Sequence, residues 1–216
     1  MPSMARILNT PKIKSKHIKL AATAGAYGTI DLSIKTFGTY EKRALNVWRS
    51  VVGRCVPGSA ERLRHTTYDG CKLHKSWRKF SKFLEWYRAN YIEGYDLDKD
   101  ILTGKSKVYG PHTCCFVPHY INTLVRGRMR KGKTLPEGVN LCKQLNAPYR
   151  AVICKYGKQE HIGYYSSVSK AVRAYRAEKS KHISCVAYWA YELGHINEEV
   201  YANLRIFARD FLVAER

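Results

Sequence analysis

One stretch limits what this chain can fold into more than any other. Tyr95-Asp96-Leu97-Asp98-Lys99-Asp100-Ile101-Leu102 is followed by Tyr109-Gly110-Pro111-His112-Thr113-Cys114-Cys115-Phe116-Val117-Pro118 and then by Ile121-Asn122. The first run reads as a strand, and Gly104-Lys105-Ser106-Lys107 reads as a polar loop. A second strand is expected near Cys114–Val117, and a short helix from His119 to Arg126. The first strand ends on a carboxylate, Asp98, and the helix carries an amide, Asn122. Together these two side chains are placed to hold one hard divalent cation through oxygen ligands alone.

The rest of the chain has to fold around that unit. Its 216 residues are enough for one large or two small domains, and the 45% hydrophobic content supports a real core. The balance of 38 Lys+Arg against 17 Asp+Glu gives a net charge of +21. An excess of that size favours a polyanionic partner. Sixteen Tyr and four Trp are interleaved with the basic residues; the cations can contact phosphate, and the rings can stack on bases or fill the core. No apolar run is long enough to span a bilayer and the N-terminus shows no apolar signal core, so no membrane partner and an intracellular location are expected. The seven cysteines (Cys55, Cys71, Cys114, Cys115, Cys142, Cys154 and Cys185) form no C-x-x-C pair. They are therefore expected to be reduced, buried, small apolar residues, and no zinc is expected.

The segments follow from periodicity and punctuation. Residues 1–40 form a basic arm carrying Lys12, Lys14, Lys16, Lys19 and Lys35, or else a pair of short strands packed on the next domain. Within 41–126, Ala44, Val47, Trp48, Val51 and Val52 recur at helical spacing up to a stop at Val56-Pro57-Gly58. A second helix is expected over Ser76–Tyr91, with Trp77, Phe80, Phe83, Leu84 and Tyr87 on one side, serving as core that holds the strand–strand–helix unit. Residues 127–134 form a glycine-broken basic linker in which Arg128, Arg130 and Lys131 continue the charge of Arg126.

Residues 135–183 show a separate pattern. Tyr149-Arg150-Ala151-Val152-Ile153-Cys154 is a strand, Lys155-Tyr156-Gly157-Lys158 a turn, and Gln159–Tyr165 the returning strand. Ser166 or Ser167 caps a helix with Val168, Ala171, Val172 and Tyr175 on its apolar face. The expected fold class is α+β: the strand–strand–helix unit with flanking helices, then a three-stranded antiparallel sheet with one helix on its back. Residues 184–216 add two C-terminal helices broken at Gly194-His195-Ile196-Asn197, which either pack on the second module or mediate self-association. If Ala151 and Ile153 face the helix, alternation sends Arg150, Val152 and Cys154 outward.

The first unit resembles the ββα-metal core of the HNH nucleases, and its match runs from Trp48 to Asn122. In that likeness Asp98 takes the place of the metal carboxylate and Asn122 that of the helix ligand. Lys99 stands where the family has its histidine base, and Thr113 where it has a bracing asparagine. The second module is similar to the plant ethylene-response-factor, or apetala-type, DNA-binding domain, which phage HNH proteins often carry after the nuclease unit. The matching residues are Gly138-Val139, Tyr149-Arg150-Ala151, Ile153, His161-Ile162-Gly163, Tyr165 and Ala171–Tyr175.

The resemblance implies double-stranded DNA as the partner and Mg²⁺ or Mn²⁺ as the cofactor. It implies a site-specific endonuclease of the homing type, in the host cytoplasm if phage-borne, with the sheet laid in the major groove. Arg150 is then the base reader, since a guanidinium can bond guanine through two contacts. Lys143, Lys155, Lys158 and His161 are candidate phosphate or base contacts, and each lysine is equally readable as a solvated surface charge. Lys99 is a weak base at neutral pH unless burial lowers its pKa, so His112 and His119 are the other candidates for the base, and Asp100 is a candidate for the base or the metal. The competing function is a DNA-binding regulator descended from such a nuclease and without activity. A packaging protein would fit the charge but leaves the two modular patterns unexplained.

Overall fold

The computed structural model describes residues 16–17, 28–104, 106–126, 135–143 and 146–213. In its first half the elements are β1 (Lys16–His17), β2 (Thr29–Ile30), α1 (Thr39–Cys55), α2 (Ala60–Arg64), β3 (Lys72–Leu73) and α3 (Phe80–Asn90). There follow β4 (Tyr95–Asp98), β5 (Val108–Tyr109), β6 (Cys115–Pro118) and α4 (His119–Val125). The last part holds β7 (Val139–Leu141), β8 (Tyr149–Lys155), β9 (Lys158–Tyr165), α5 (Val168–Glu192) and α6 (Glu198–Val213). The class is mixed α+β with small sheets, antiparallel except for the pair β3–β5.

Two compact units divide the chain: residues 1–93 with 105–114, and residues 94–104 with 115–216. The dividing line runs inside the segment 41–126, so the hairpin β4–β6 and helix α4 belong with the C-terminal half. The first unit is built on aromatic packing. α1 buries Ala44, Leu45, Trp48, Val51, Val52 and Cys55 at helical spacing, and Glu41 reaches back to accept from the Gly38 N–H at 3.1 Å. It stops at Val56, with Gly58 at φ 74° just beyond.

The helix expected over Ser76–Tyr91 begins only at Phe80. Lys75–Arg78 form a tighter turn, and the Trp77 carbonyl there accepts from the Trp48 indole at 2.7 Å. The Trp77 ring lies 4.9 Å from Phe83 and 4.8 Å from Trp86, and Tyr87 stacks on Tyr91 at 4.5 Å. The aromatic stripe is therefore core. Of the arm expected over residues 1–40, β1 and β2 form a two-residue antiparallel pair, and most of the rest lies outside the described residues.

In the second unit β4 and β6 pair antiparallel, with Tyr95 opposite Pro118 and Asp98 opposite Cys115. The apolar cluster that includes Ile101, Val117, Ile121 and Leu124 is completed by Ile183, Val186, Ala187 and Ala190 of α5 and by Val200, Leu204 and Ala208 of α6. The C-terminal helices thus supply the packing that the sequence suggested would come from the aromatic helix. His195, in the break between α5 and α6, ties this arrangement together. Its Nδ1 is 2.9 Å from the Tyr120 hydroxyl, and its carbonyl accepts from the Tyr95 hydroxyl at 3.0 Å.

The sheet β7–β8–β9 is antiparallel throughout. Tyr156 at φ 49° and Gly157 at φ 78° form the two-residue turn between β8 and β9, both in the left-handed region that such hairpins require. The Ser167 hydroxyl caps α5 by accepting from the Lys170 N–H at 3.3 Å. α5 is 25 residues long, about 37 Å at the usual rise, and runs straight through the boundary expected at residue 183. Its first turns pack Ala171 against Val139 and Ala151 of the sheet, and its last turns carry the cluster around α4 and α6.

Candidate functional site

Pairing of Tyr95 with Pro118 puts Asp96 beside the point where β6 turns directly into α4. His119 and Asn122, three residues apart on one helix face, both return to it. His119 Nδ1 lies 2.7 Å from Asp96 Oδ2, and the Asn122 Nδ2 donates to the same oxygen at 2.8 Å. Asn122 is only 2% exposed, and its Oδ1 is buried without a hydrogen-bond partner among the described residues. Burial works against ionisation of Asp96, but the His119 and Asn122 hydrogen bonds outweigh it and hold its pKa below the ordinary value. The arrangement combines an anionic carboxylate, an imidazole aligned by it and an orphaned amide oxygen.

Asp98, the carboxylate singled out from the sequence, has a different setting. Its Oδ1 accepts from the Asp100 and Ile101 N–H groups, both at 2.8 Å, and so closes the turn after β4. It is 8% exposed, and burial raises its pKa despite those bonds. The structure therefore brings Asn122 to Asp96, two residues before the carboxylate expected to share a cation with it. Asp96 was not among the residues picked from the sequence. The signal that could have found it is the two-residue period of the strand, which places Asp96 and Asp98 on the same face.

Lys99 is buried and ion-paired with Asp100, which is exposed. His112 and Thr113 belong to the other unit, where the Thr113 hydroxyl donates to the Val108 carbonyl at 2.8 Å. His119 is the candidate base that the fold places at the strand–helix junction, with its ring largely exposed. Among the described residues no three His, Cys, Asp or Glu side chains converge on a common point. A cation at this junction would depend on the Asn122 amide oxygen beside Asp96. That pair fits a hard cation, because the buried oxygen lacks a donor and turning the amide over would aim it at the carboxylate's side.

A second candidate surface is the outer face of the three-stranded sheet. Arg150 lies between Asn140 of β7 and Tyr164 of β9. Its Nε donates to His161 Nδ1 at 3.3 Å, and the His161 ring sits 4.5 Å from that of Tyr164. Ala151 packs toward α5 as alternation requires. Val152, expected outside, is buried, and it lies at the register shift where Ala151 pairs with Gly163, Val152 pairs with His161 and Ile162 is left over as a bulge. Lys155 is engaged by Glu160 at 3.0 Å and Glu178 at 3.2 Å, whereas Lys143, Lys158 and Arg126 are exposed. Arg128, Arg130 and Lys131 lie outside the described residues.

All seven cysteines are free. Burial raises the Cys55 pKa to about 12, consistent with an inert thiol. Contrary to the expectation that all seven are buried, only Cys55, Cys71 and Cys114 are; Cys115 and Cys142 are half-buried, and Cys154 and Cys185 are exposed on the outward side of their elements.

No family model, curated protein or solved structure matches the chain.

Proposed function

We propose that the protein binds double-stranded DNA through the outer sheet face around Arg150 and cuts it at the β4–α4 junction with the help of Mg²⁺ or Mn²⁺. The observation that carries this reading is the convergence of Asp96, His119 and Asn122 where a two-stranded hairpin meets a helix. The likeness to the HNH nucleases supports it, with two departures. The carboxylate is Asp96 rather than Asp98, and the imidazole comes from the first residue of the helix rather than from the strand.

In this reading Asp96 and the Asn122 oxygen would hold the cation, which when bound would supply charge stabilisation at the scissile phosphate and its leaving oxygen. Asp96 fixes the ring orientation of His119 through Nδ1. The other ring nitrogen, Nε2, is then the one that would take the proton from an attacking water. Arg150, with Asn140, His161 and Tyr164 around it, would set the register on the duplex, and the net charge of +21 would hold the backbone.

The test is incubation of supercoiled plasmid with the protein and Mg²⁺ or Mn²⁺. Nicking that falls by about 10²–10⁴-fold in His119→Ala supports the assignment. Wild-type protein that binds duplex and never nicks it returns the second reading, a DNA-binding regulator without activity. One observation favours that alternative: Lys99, where the family has its base, is buried and paired with Asp100.

A further inference from the structure

A pocket of about 650 Å³ opens beside α4 in the second unit, and its lining includes His119, Arg126, Glu137, Tyr156, Lys179 and His182. It runs from His119 to the flank of α5. A volume of this order suits a small ligand largely enclosed by protein.

We propose that this pocket binds a nucleotide, a phosphate ester carrying a flat base. The lining carries two cations, Arg126 and Lys179, and one acid, Glu137, a balance that favours an anionic ligand. At the far end His182 is only 8% exposed, and its ring meets Tyr156 edge-on at 5.0 Å. No hydrogen bond reaches its ring nitrogens from the described residues. An imidazole with one donor and one acceptor, set against an aromatic ring in the wall of this pocket, matches the edge of a nucleobase in polarity. Burial, together with the charges of Lys179 and Lys155, lowers the His182 pKa and so favours the neutral ring that this contact needs. The pocket shares Asn140 with the Arg150 face and His119 with the proposed cleavage junction, but Lys179 and His182, which carry the nucleotide contacts, belong to neither.

The nucleotide can come from solution or from a DNA strand, and the experiment distinguishes the two. Full-length protein is titrated with dAMP, deoxyadenosine, inorganic phosphate and a 5′-phosphorylated trideoxynucleotide, with affinity followed by calorimetry and the His182 ring signals by NMR. The expected result is that dAMP moves the His182 signals and binds at least about tenfold tighter than deoxyadenosine or phosphate. Lys179→Gln and His182→Ala should each weaken dAMP by about tenfold, and Lys82→Gln, an exposed position in the first unit, should leave it unchanged. Lys179 is half-exposed, so Lys179→Gln keeps the test valid if His182→Ala does not fold. Tighter binding of the trinucleotide than of dAMP assigns the pocket to a strand of DNA, and equal or weaker binding assigns it to a free nucleotide. Binding of dAMP that leaves the His182 signals unmoved, or that Lys179→Gln does not weaken, overturns the proposal, as does no binding. Plasmid nicking is scored separately, so failure here leaves the cleavage reading standing and failure of nicking leaves the pocket standing.

Discussion

Asp98 and Asp96 lie two residues apart on one strand, and their pKa values are shifted in opposite directions. Asp98 is buried and its pKa is raised, so the fold favours its protonated form. The stability it contributes is present below the ordinary carboxylate pKa and is lost as pH rises through the raised value. At pH 7 the charge is therefore a cost, although Oδ1 still serves two backbone N–H groups. Asp98→Asn keeps an oxygen for both N–H groups and removes the charge, so it should match or exceed wild-type stability in urea unfolding at pH 7. The wild type should then gain on Asp98→Asn as the pH is lowered. Asp98→Ala leaves those N–H groups without their acceptor and should lose about 1–3 kcal/mol. Equal losses for both substitutions would mean that the turn does not rest on this oxygen. The sequence made the carboxylate-rich strand and the amide-bearing helix legible, because residue types and punctuation are local. It did not show which carboxylate meets Asn122, because that depends on the strand register of Tyr95 against Pro118.

At the scale of elements, α5 carries the second unit by serving two clusters in series. A periodicity reading finds both apolar stretches but divides them at residue 183, since nothing local says that one helix continues from the sheet to the α4–α6 cluster. Ser180→Pro removes a mid-helix hydrogen bond between the two halves and should cost about 3 kcal/mol or more, read as a shift of the urea midpoint. A change below 1 kcal/mol, on the scale of a mere surface substitution, would mean the halves are independent.

The sheet meets α5 closely at Gly138. There φ is 79°, and a Cβ would run into the Tyr175 ring. Gly138→Ala should thus cost about 1–3 kcal/mol from overpacking, with left-handed backbone strain in addition. Thermal unfolding tests this, and an unchanged midpoint would show that Tyr175 yields freely. The turn, cap and break residues were readable because each acts within four positions, as Tyr156-Gly157, Ser167 and Gly194 do. The bulge at Ile162 was not, because it is a property of the pair of strands.

For the whole molecule the governing quantity is the net charge of +21. Affinity for any duplex should fall linearly in log K with log salt, with a slope set by the number of phosphates neutralised. Arg150→Ala should leave that slope and non-specific binding nearly intact while costing about 1–3 kcal/mol at a preferred site. Titrations on cognate and scrambled duplexes at one salt concentration separate the cases, and equal losses on both would make Arg150 a backbone contact. The most direct test of the account is the initial rate of supercoiled-plasmid nicking in Mg²⁺ for wild type, Asp96→Asn and Asp98→Asn side by side. Wild type and Asp98→Asn should nick at similar rates, while Asp96→Asn should be close to inactive. Loss of nicking in Asp98→Asn with retention in Asp96→Asn would contradict it, and so would a wild-type protein that binds the plasmid and leaves it intact.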